Sequence, residues 1–562
     1  MLFRLQKLYP YYFVFWIFGF CPAVFSSPIL PVDSVRPGMK GYGLSVFSGT
    51  KIDTFEVEVV DIIHKALPRG DRILCRLSGA GLEKSGAVAG MSGSPVYIKG
   101  KLLGAIAYAW GWAKEPIVGV TPIQEMLNIW ESMPTAESQT GTSWNLPHLP
   151  IPLAISGLTP ELERLLTPTL EARGMKPVAG ASGSAASDTS AFVPGGIVSV
   201  ALIDGDVRVA AVGTITYREG NKILAFGHPF FLGGAVQLPM SGGVIHSVLP
   251  SLATSFKIFS PGSPLGTITQ DRATGIAGII GVPAPTISVR VVVNSSRTKN
   301  TYNFRVARLE QLTPEFLPLG IVEAVLQTEG TLEEATLSCN LHLYFTDRVA
   351  RIHHTFAEVN PAQILFERTR SELNFLFAND IKPVPLDSVE ATITITRGRN
   401  SAELVTAFPE RTWAHPGETV AIHIELQDYR AAKTKEVIRV PIPPTTPTGI
   451  VNITVISANE FFTQKVQRLP GVANPTSLSQ LLKHLEESGR EDELVVAGFL
   501  SQPALSIGDR EMPQTPPSLR RIFSKNPKSI RTQPVSNSLL FKIQVKLNRV
   551  IQGAASFDME VK

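Results

Sequence analysis

Between Pro31 and Trp130, apolar and polar residues alternate in short runs, "GYGLSVFSG", "TFEVEVVDII", "RILCRLSG", "GSPVYIKGKLLGAIAYAW" and "IVGVTPI", each bounded by Gly or Pro. Period-two runs rich in Val and Ile with glycine turns between them predict a β-barrel or sandwich. The text "TPIQEMLNIWESM" then moves to helical spacing and closes a module over residues 28–132.

Residues 133–192 lose the alternation. "PTAESQTGTSW" and "GASGSAASDTSA" are small-residue stretches that bury no core, and "TPELERLLTPTLEARG" between them predicts a short helix from a Thr-Pro start. This segment reads as a linker carrying one helix. Alternation resumes over 193–300 in "ALIDGDVRVAAVGTITYREGNKILAFGH", where Asp-Gly and Glu-Gly-Asn supply hairpin turns. The two β modules share length and texture, so they read as two halves of one structure.

Residues 301–389 mix helical text, "TPEFLPLGIVEAVLQ" and "NPAQILFERTRSELNFLF", with strands such as "ATLSCNLHLYF", an α+β segment. Residues 390–470 hold "VEATITITRG", "PGETVAIHIELQDY", "KEVIRVPIPP" and "GIVNITVIS", at the spacing of a small β-sandwich. Residues 471–562 end the chain with an amphipathic helix, "SLSQLLKHLEESG", a basic loop, "RRIFSKNPKSIRTQP", and a strand, "SLLFKIQVKL". The expected class is mainly β and multidomain.

Composition narrows the function classes. In 562 residues, 44% are apolar and 18% charged, and the net charge of +4 is dispersed, which argues against a nucleic-acid surface. Arg4 and Lys7, an apolar run from Tyr11 to Phe20, and small residues at Ala23, Ser26 and Ser27 form a signal-peptide pattern over residues 1–27, with a retained anchor as the alternative. Without that leader only Cys75 and Cys339 remain, too few for a disulfide framework. The expectation is an exported chain of the periplasm or cell envelope, or a secreted one, soluble or at the membrane periphery. The adjacent His353 and His354 have no further ligand at metal-binding spacing, so neither a metal nor another cofactor is expected.

The candidate chemistry sits in "GMSGSP". An activated serine needs an exposed hydroxyl on a tight turn, N–H groups aimed at the developing oxyanion, and a base. Gly90 and Gly93 flank Ser92 and permit such a turn, with the N–H groups of Gly90 and Ser92 as the oxyanion hole. Glycine, serine and proline are also the ordinary residues of a loop, so the hexapeptide alone does not decide. Ser94 runs directly into Pro95 and is the weaker hydroxyl. Among the histidines, His228 ends an apolar strand at a Gly-His-Pro turn and is the candidate base, whereas His64 and His246 sit in apolar text as ordinary histidines. Asp204, Asp206 and Asp271 are the candidates for an orienting carboxylate; the first two are also explained as turn residues, and Asp271 could pair with Arg272.

Two segments together carry a family resemblance. "SGAVAGMSGSPVYIKGKLLGAIAY" resembles the serine segment of SpoIVB-type serine peptidases, and "AAVGTITYREGNKILAFGHP" resembles their histidine segment. The resemblance implies a trypsin-like two-barrel serine endopeptidase, with Ser92 as nucleophile and His228 as general base. In those peptidases the histidine segment comes first, so the halves here are permuted, and the position of their upstream aspartate is held by Arg76, Leu77 and Ser78. No PDZ-like segment is evident. The expected partner is a protein or peptide substrate in the envelope. The alternative is a non-catalytic envelope scaffold or binding protein that keeps the fold, and the separation of Ser92 from His228 discriminates the two.

Overall fold

The structure is a computed structural model that describes residues 28–67, 70–131, 148–157, 160–180, 192–330, 334–513, 515–524 and 532–562. The proposed signal peptide and the low-complexity parts of the proposed linker lie outside the described residues.

The first barrel comprises β1 (Lys40–Ser48), β2 (Lys51–Leu67), β3 (Gly70–Ser78), β5 (Pro95–Ile98), β6 (Lys101–Ala109) and β7 (Ile117–Pro122). Its order is β1-β2-β3-β7-β6-β5, closed by pairing of β1 with β5. Alternation delivers the interior: Phe55, Val57 and Val59 on β2, Ile73, Cys75 and Leu77 on β3, and Val118 and Val120 on β7 all point inward. Between β3 and β5 lie the short helix α1 (Leu82–Ser85) and the two-residue strand β4 (Val88–Ala89), and α2 (Ile123–Glu131) closes the module as its spacing predicted.

What reads as a linker contains more structure than one helix. β8 (Ile151–Ser156), α3 (Pro160–Glu171) and β9 (Met175–Gly180) form a crossover unit with parallel strands, and β8 pairs with β11 (Val209–Glu219). The flanking low-complexity text hid two short strands, the first with all its residues buried and the second with half of them buried.

The second barrel joins β10 (Ile197–Gly205), β13 (Gly234–Ser241), β16 (Gly266–Arg272), β17 (Gly275–Ile280), β12 (Lys222–Ala225) and β11 in that order, and β10 pairing with β11 closes it. On β11, Val209, Ala211 and Ile215 face the interior while Ala210 and Val212 pack outward against Val46, Ala154 and Phe259. Both faces are covered, which is why its text is almost continuously apolar. The hairpin β14 (Gly243–Leu249) and β15 (Ser255–Pro261) leaves this barrel and reaches the first, where β15 pairs in parallel with β4. The two barrels are thereby locked across the turn that carries Ser92.

Beyond the barrels, β18 (Thr286–Asn294), β19 (Lys299–Ala307), β20 (Glu334–Phe345), β21 (Arg348–Val359) and β22 (Leu386–Arg397) extend the sheet through pairing of β19 with β10, with α4 (Thr313–Glu329) and α5 (Pro361–Phe377) packed on it. Strand β22, "VEATITITRG", read above as the first strand of the sandwich, pairs instead with β18 and β20. The sandwich has one sheet of β23 (Ser401–Pro409), β25 (Thr419–Asp428), β26 (Lys433–Pro441) and β33 (Val550–Gln552). Its other sheet is β24 (Trp413–Ala414), β27 (Gly449–Ser457), β28 (Glu493–Leu500), β32 (Ser538–Lys546) and β34 (Ala554–Val561). It therefore draws its strands from both of the last two segments read from the sequence, because alternation reports a strand but not its partner. Helices α6 (Ala458–Arg468), α7 (Pro470–Ala473), α8 (Leu478–Glu487) and α9 (Pro517–Ser524) and a small sheet of β29 (Ala504–Ile507), β30 (Arg510–Met512) and β31 (Thr532–Val535) flank it. Among the described residues, no helix is long and apolar enough to cross a membrane.

Candidate active site

Ser92 lies on the turn between β4 and β5. Gly90 and Gly93 hold φ of +97° and +93°, a region closed to most residues with a side chain, and a Cβ on Gly93 would stand 1.9 Å from the Thr214 carbonyl oxygen. The turn is pinned from within by Met91 N–H to Val88 O (2.9 Å), Gly93 N–H to Ile106 O (2.8 Å) and Ser94 N–H to Met91 O (2.8 Å). Among the described residues, the Ser92 N–H makes none of the main-chain hydrogen bonds of the turn, and with the N–H of Gly90, next to β4, it is the candidate donor set for an oxyanion.

The second barrel grips the same turn. Thr214 N–H donates to Ser92 O (2.8 Å), Thr214 Oγ–H to Gly90 O (3.1 Å) and Thr216 Oγ–H to Gly93 O (2.8 Å). Lys257, from β15, donates its Nζ to Gly90 O and to Ser45 Oγ, both at 3.0 Å. Burial pushes this lysine down to about 7. Sequence text offered no reason to single out Thr214, Thr216 or Lys257, since each sits in ordinary strand context.

His228 follows β12. Its Nε2 is 2.8 Å from Ser92 Oγ and its Nδ1 is 2.7 Å from the carbonyl oxygen of Pro229. With Nδ1 donating to Pro229 O, Nε2 keeps its lone pair for the Ser92 hydroxyl. Burial, then the neighbouring His148, lower this imidazole to about 3 despite the Pro229 hydrogen bond, so the ring is neutral at pH 7. Residues from the two barrels, 136 positions apart, thus meet at one hydrogen bond.

Of the three candidate carboxylates, none touches His228. Asp204 is 2.6 Å from Arg305 Nη2, and Asp206 accepts from Asn303 N–H at 2.7 Å. Asp271, 1% exposed, accepts from the N–H groups of Phe230 (2.7 Å), Phe231 (2.7 Å) and Gly233 (3.0 Å). It holds the loop that begins at Pro229, and so positions the carbonyl on His228 Nδ1 from one step away. The other histidines weighed above lie elsewhere: His64 beside Asp71 at 3.1 Å, His246 on Ser260 Oγ at 2.7 Å. Ser94 is fully buried, and its hydroxyl has no hydrogen-bond partner among the described residues.

A serine hydroxyl on a glycine turn with a neutral imidazole on its oxygen is the core of the machinery of acyl transfer. Residues 28–127 match the SpoIVB peptidase S55 family. The match spans the first barrel and the Ser92 turn and ends before His228, and it supports a serine peptidase function in general, with protein as the substrate class. No curated protein and no solved structure matches the chain. The mainly β architecture with two six-stranded barrels is the trypsin-like arrangement expected for the S55 match, and it is assembled with the serine barrel first in the chain.

Proposed function

We propose that this chain is an exported serine endopeptidase that hydrolyses peptide bonds of an envelope protein through an acyl-enzyme on Ser92. The observation that carries the reading is the 2.8 Å contact between His228 Nε2 and Ser92 Oγ. As Ser92 Oγ attacks the scissile carbonyl, Nε2 takes its proton, and the N–H groups of Gly90 and Ser92 receive the oxyanion. The imidazolium then protonates the leaving amine, and water, deprotonated by the same nitrogen, releases the acyl group. Pro229 O fixes the tautomer throughout but brings no full charge to the imidazolium. The leader-like N-terminus is what supports the envelope as the place of action.

The absent carboxylate favours a second reading, an envelope scaffold that keeps the fold without turnover. A fluorophosphonate probe separates the two. The peptidase reading expects labelling of the native chain that is lost in Ser92→Ala and slowed by roughly 10³-fold or more in His228→Ala. Labelling that persists in Ser92→Ala overturns it.

A further inference from the structure

The two reacting side chains are shut away: Ser92 is 2% exposed and His228 0%. Part of what borders His228 is a segment of the same chain. Strand β6 pairs with β5 as far as Ala105, and Ile106 then exchanges hydrogen bonds with Ser94 (3.0 Å) and Gly93 (2.8 Å) of the serine turn. The same strand continues past the serine turn through Ala107, Tyr108 and Ala109. A strand edge running away from a nucleophile is where an extended peptide adds by main-chain pairing and brings its carbonyl to the serine.

Here that position is taken. Leu149 N–H donates to Ala107 O at 3.0 Å, and His148 and Tyr108 form an antiparallel bridge. The His148 ring stands 5.1 Å from the His228 ring and 4.9 Å from the Tyr108 ring, covering one face of the base. Tyr108 is itself fixed by Arg72 Nη2, 3.0 Å from its hydroxyl. Leu149 is 1% exposed and belongs to the apolar core of the first barrel, which also takes in Val88 of β4, Met91 of the serine turn, Ala109 of β6 and Val118 of β7. Next in the chain, Pro150 has no N–H to extend the pairing and makes the Leu149–Pro150 bond a crowded tertiary amide.

We propose that residues 148–150 are a built-in occupant of the peptide groove, a substrate-mimicking segment that holds the site closed, with Leu149 seated where a leucine-sized apolar residue of a substrate would go. This deepens the peptidase reading and rests on it. Activation is the displacement of the segment from β6, and the substrate is a peptide that competes for that edge in extended form with an apolar residue for the Leu149 pocket.

Two measurements test this on the full chain. The first is the rate of fluorophosphonate labelling of the native protein, of His148→Ala, which leaves the apolar cluster intact, and of His148→Ala/Leu149→Gly. The second is the binding of a fluorescent peptide with the sequence of residues 145–152, Asn-Leu-Pro-His-Leu-Pro-Ile-Pro, measured in the Ser92→Ala background where turnover plays no part. Self-occupancy expects labelling at least about tenfold faster in the double variant, an intermediate rate in His148→Ala, and peptide binding about tenfold tighter once the segment is altered. Equal labelling rates together with equal peptide affinity in the altered and unaltered chains overturn it. If no chain is labelled, the peptidase reading falls while peptide affinity still decides whether the groove is occupied by its own chain.

Discussion

Two histidines of this molecule are almost equally inaccessible, His228 at 0% and His354 at 1% exposure, and they stand at opposite ends of the imidazole range. His228 meets a hydroxyl and a main-chain carbonyl and falls to about 3. His354, on β21, lies between Glu372 Oε2 (3.0 Å) and Glu491 Oε1 (3.2 Å). Burial pulls it down as well, but the Glu372 charge and the hydrogen bonds it donates to both carboxylates reverse this and raise it to about 9. Burial alone therefore does not set the state of a buried imidazole; the charge of its partners does. The charged one is a clamp that ties β21, α5 and the chain after α8 together. The neutral one keeps the lone pair that a general base needs, at the cost of a less stabilised imidazolium.

The largest test of this contrast exchanges the losses. His228→Ala is expected to slow fluorophosphonate labelling by roughly 10³–10⁴-fold while the fold persists. His354→Ala is expected to leave the labelling rate unchanged and to destabilise the chain by about 3–5 kcal/mol, because Glu491 and Glu372 lose the buried cation they share and, among the described residues, only Arg368, 3.4 Å from Glu372, remains beside them. A His354→Ala protein that is fully folded, as stable as the native chain and unlabelled would break the comparison.

The same two residues give opposite pH limbs. His354 has a folded value of about 9 against an ordinary 6.5, so its contribution is fully present below pH 6.5 and is lost as pH rises through 9. His228 has a folded value of about 3, so the unfolded chain takes up the proton first and stability is lost as pH falls from 6.5 towards 3. At ~1.4 kcal/mol per pH unit each limb is on the order of 3–5 kcal/mol. Denaturant titrations of the native chain against His354→Gln and His228→Gln read these limbs as differences. A native-minus-His354→Gln difference that stays flat from pH 6.5 to 9 would sink the assignment of the clamp.

Asp271 sharpens the contrast from the other side, since it is a carboxylate near the catalytic base that never meets it. Burial holds its carboxyl above the ordinary range despite the N–H donors of Gly233, Phe230 and Phe231. Asp271→Asn turns an NH₂ group towards those donors and is expected to cost about 2 kcal/mol. It should also slow labelling about tenfold by loosening the Pro229 carbonyl. An Asn variant with unaltered labelling and lowered thermal stability would make Asp271 structural only.

Much of this was legible in the chain. Alternation located the strands of both barrels, and "GMSGSP" with "AFGHP" named the two side chains that meet at 2.8 Å. Those signals are local: a turn chemistry, and a histidine at the end of an apolar run. What could not be read was partnership across long separations. Strand β22 alternates as a sandwich strand would, yet pairs with β18 and β20. A main-chain carbonyl such as that of Pro229 has no sequence signature at all, whereas Asp204, Asp206 and Asp271 do, and none of these is the partner of Nδ1. His148 and Leu149 were hidden for a related reason, as two residues of pairing produce no period.

Lys257 carries the smallest and most discriminating prediction. Its ammonium group and the Thr214 hydroxyl both donate to Gly90 O, at 3.0 and 3.1 Å, so the carbonyl beside the oxyanion hole is held twice. Lys257→Met removes one donor together with a group whose charged form burial already disfavours, so stability should change little. Labelling should slow by only about three- to tenfold, because Thr214 remains and the N–H groups that bind the oxyanion are untouched. Thr214→Val should act similarly, and the double variant should lose more than the product of the two, since each single variant is rescued by the surviving donor. Additive losses would mean that the two donors hold the turn independently, and a Lys257→Met chain labelled at the native rate would remove Lys257 from the support of the oxyanion turn.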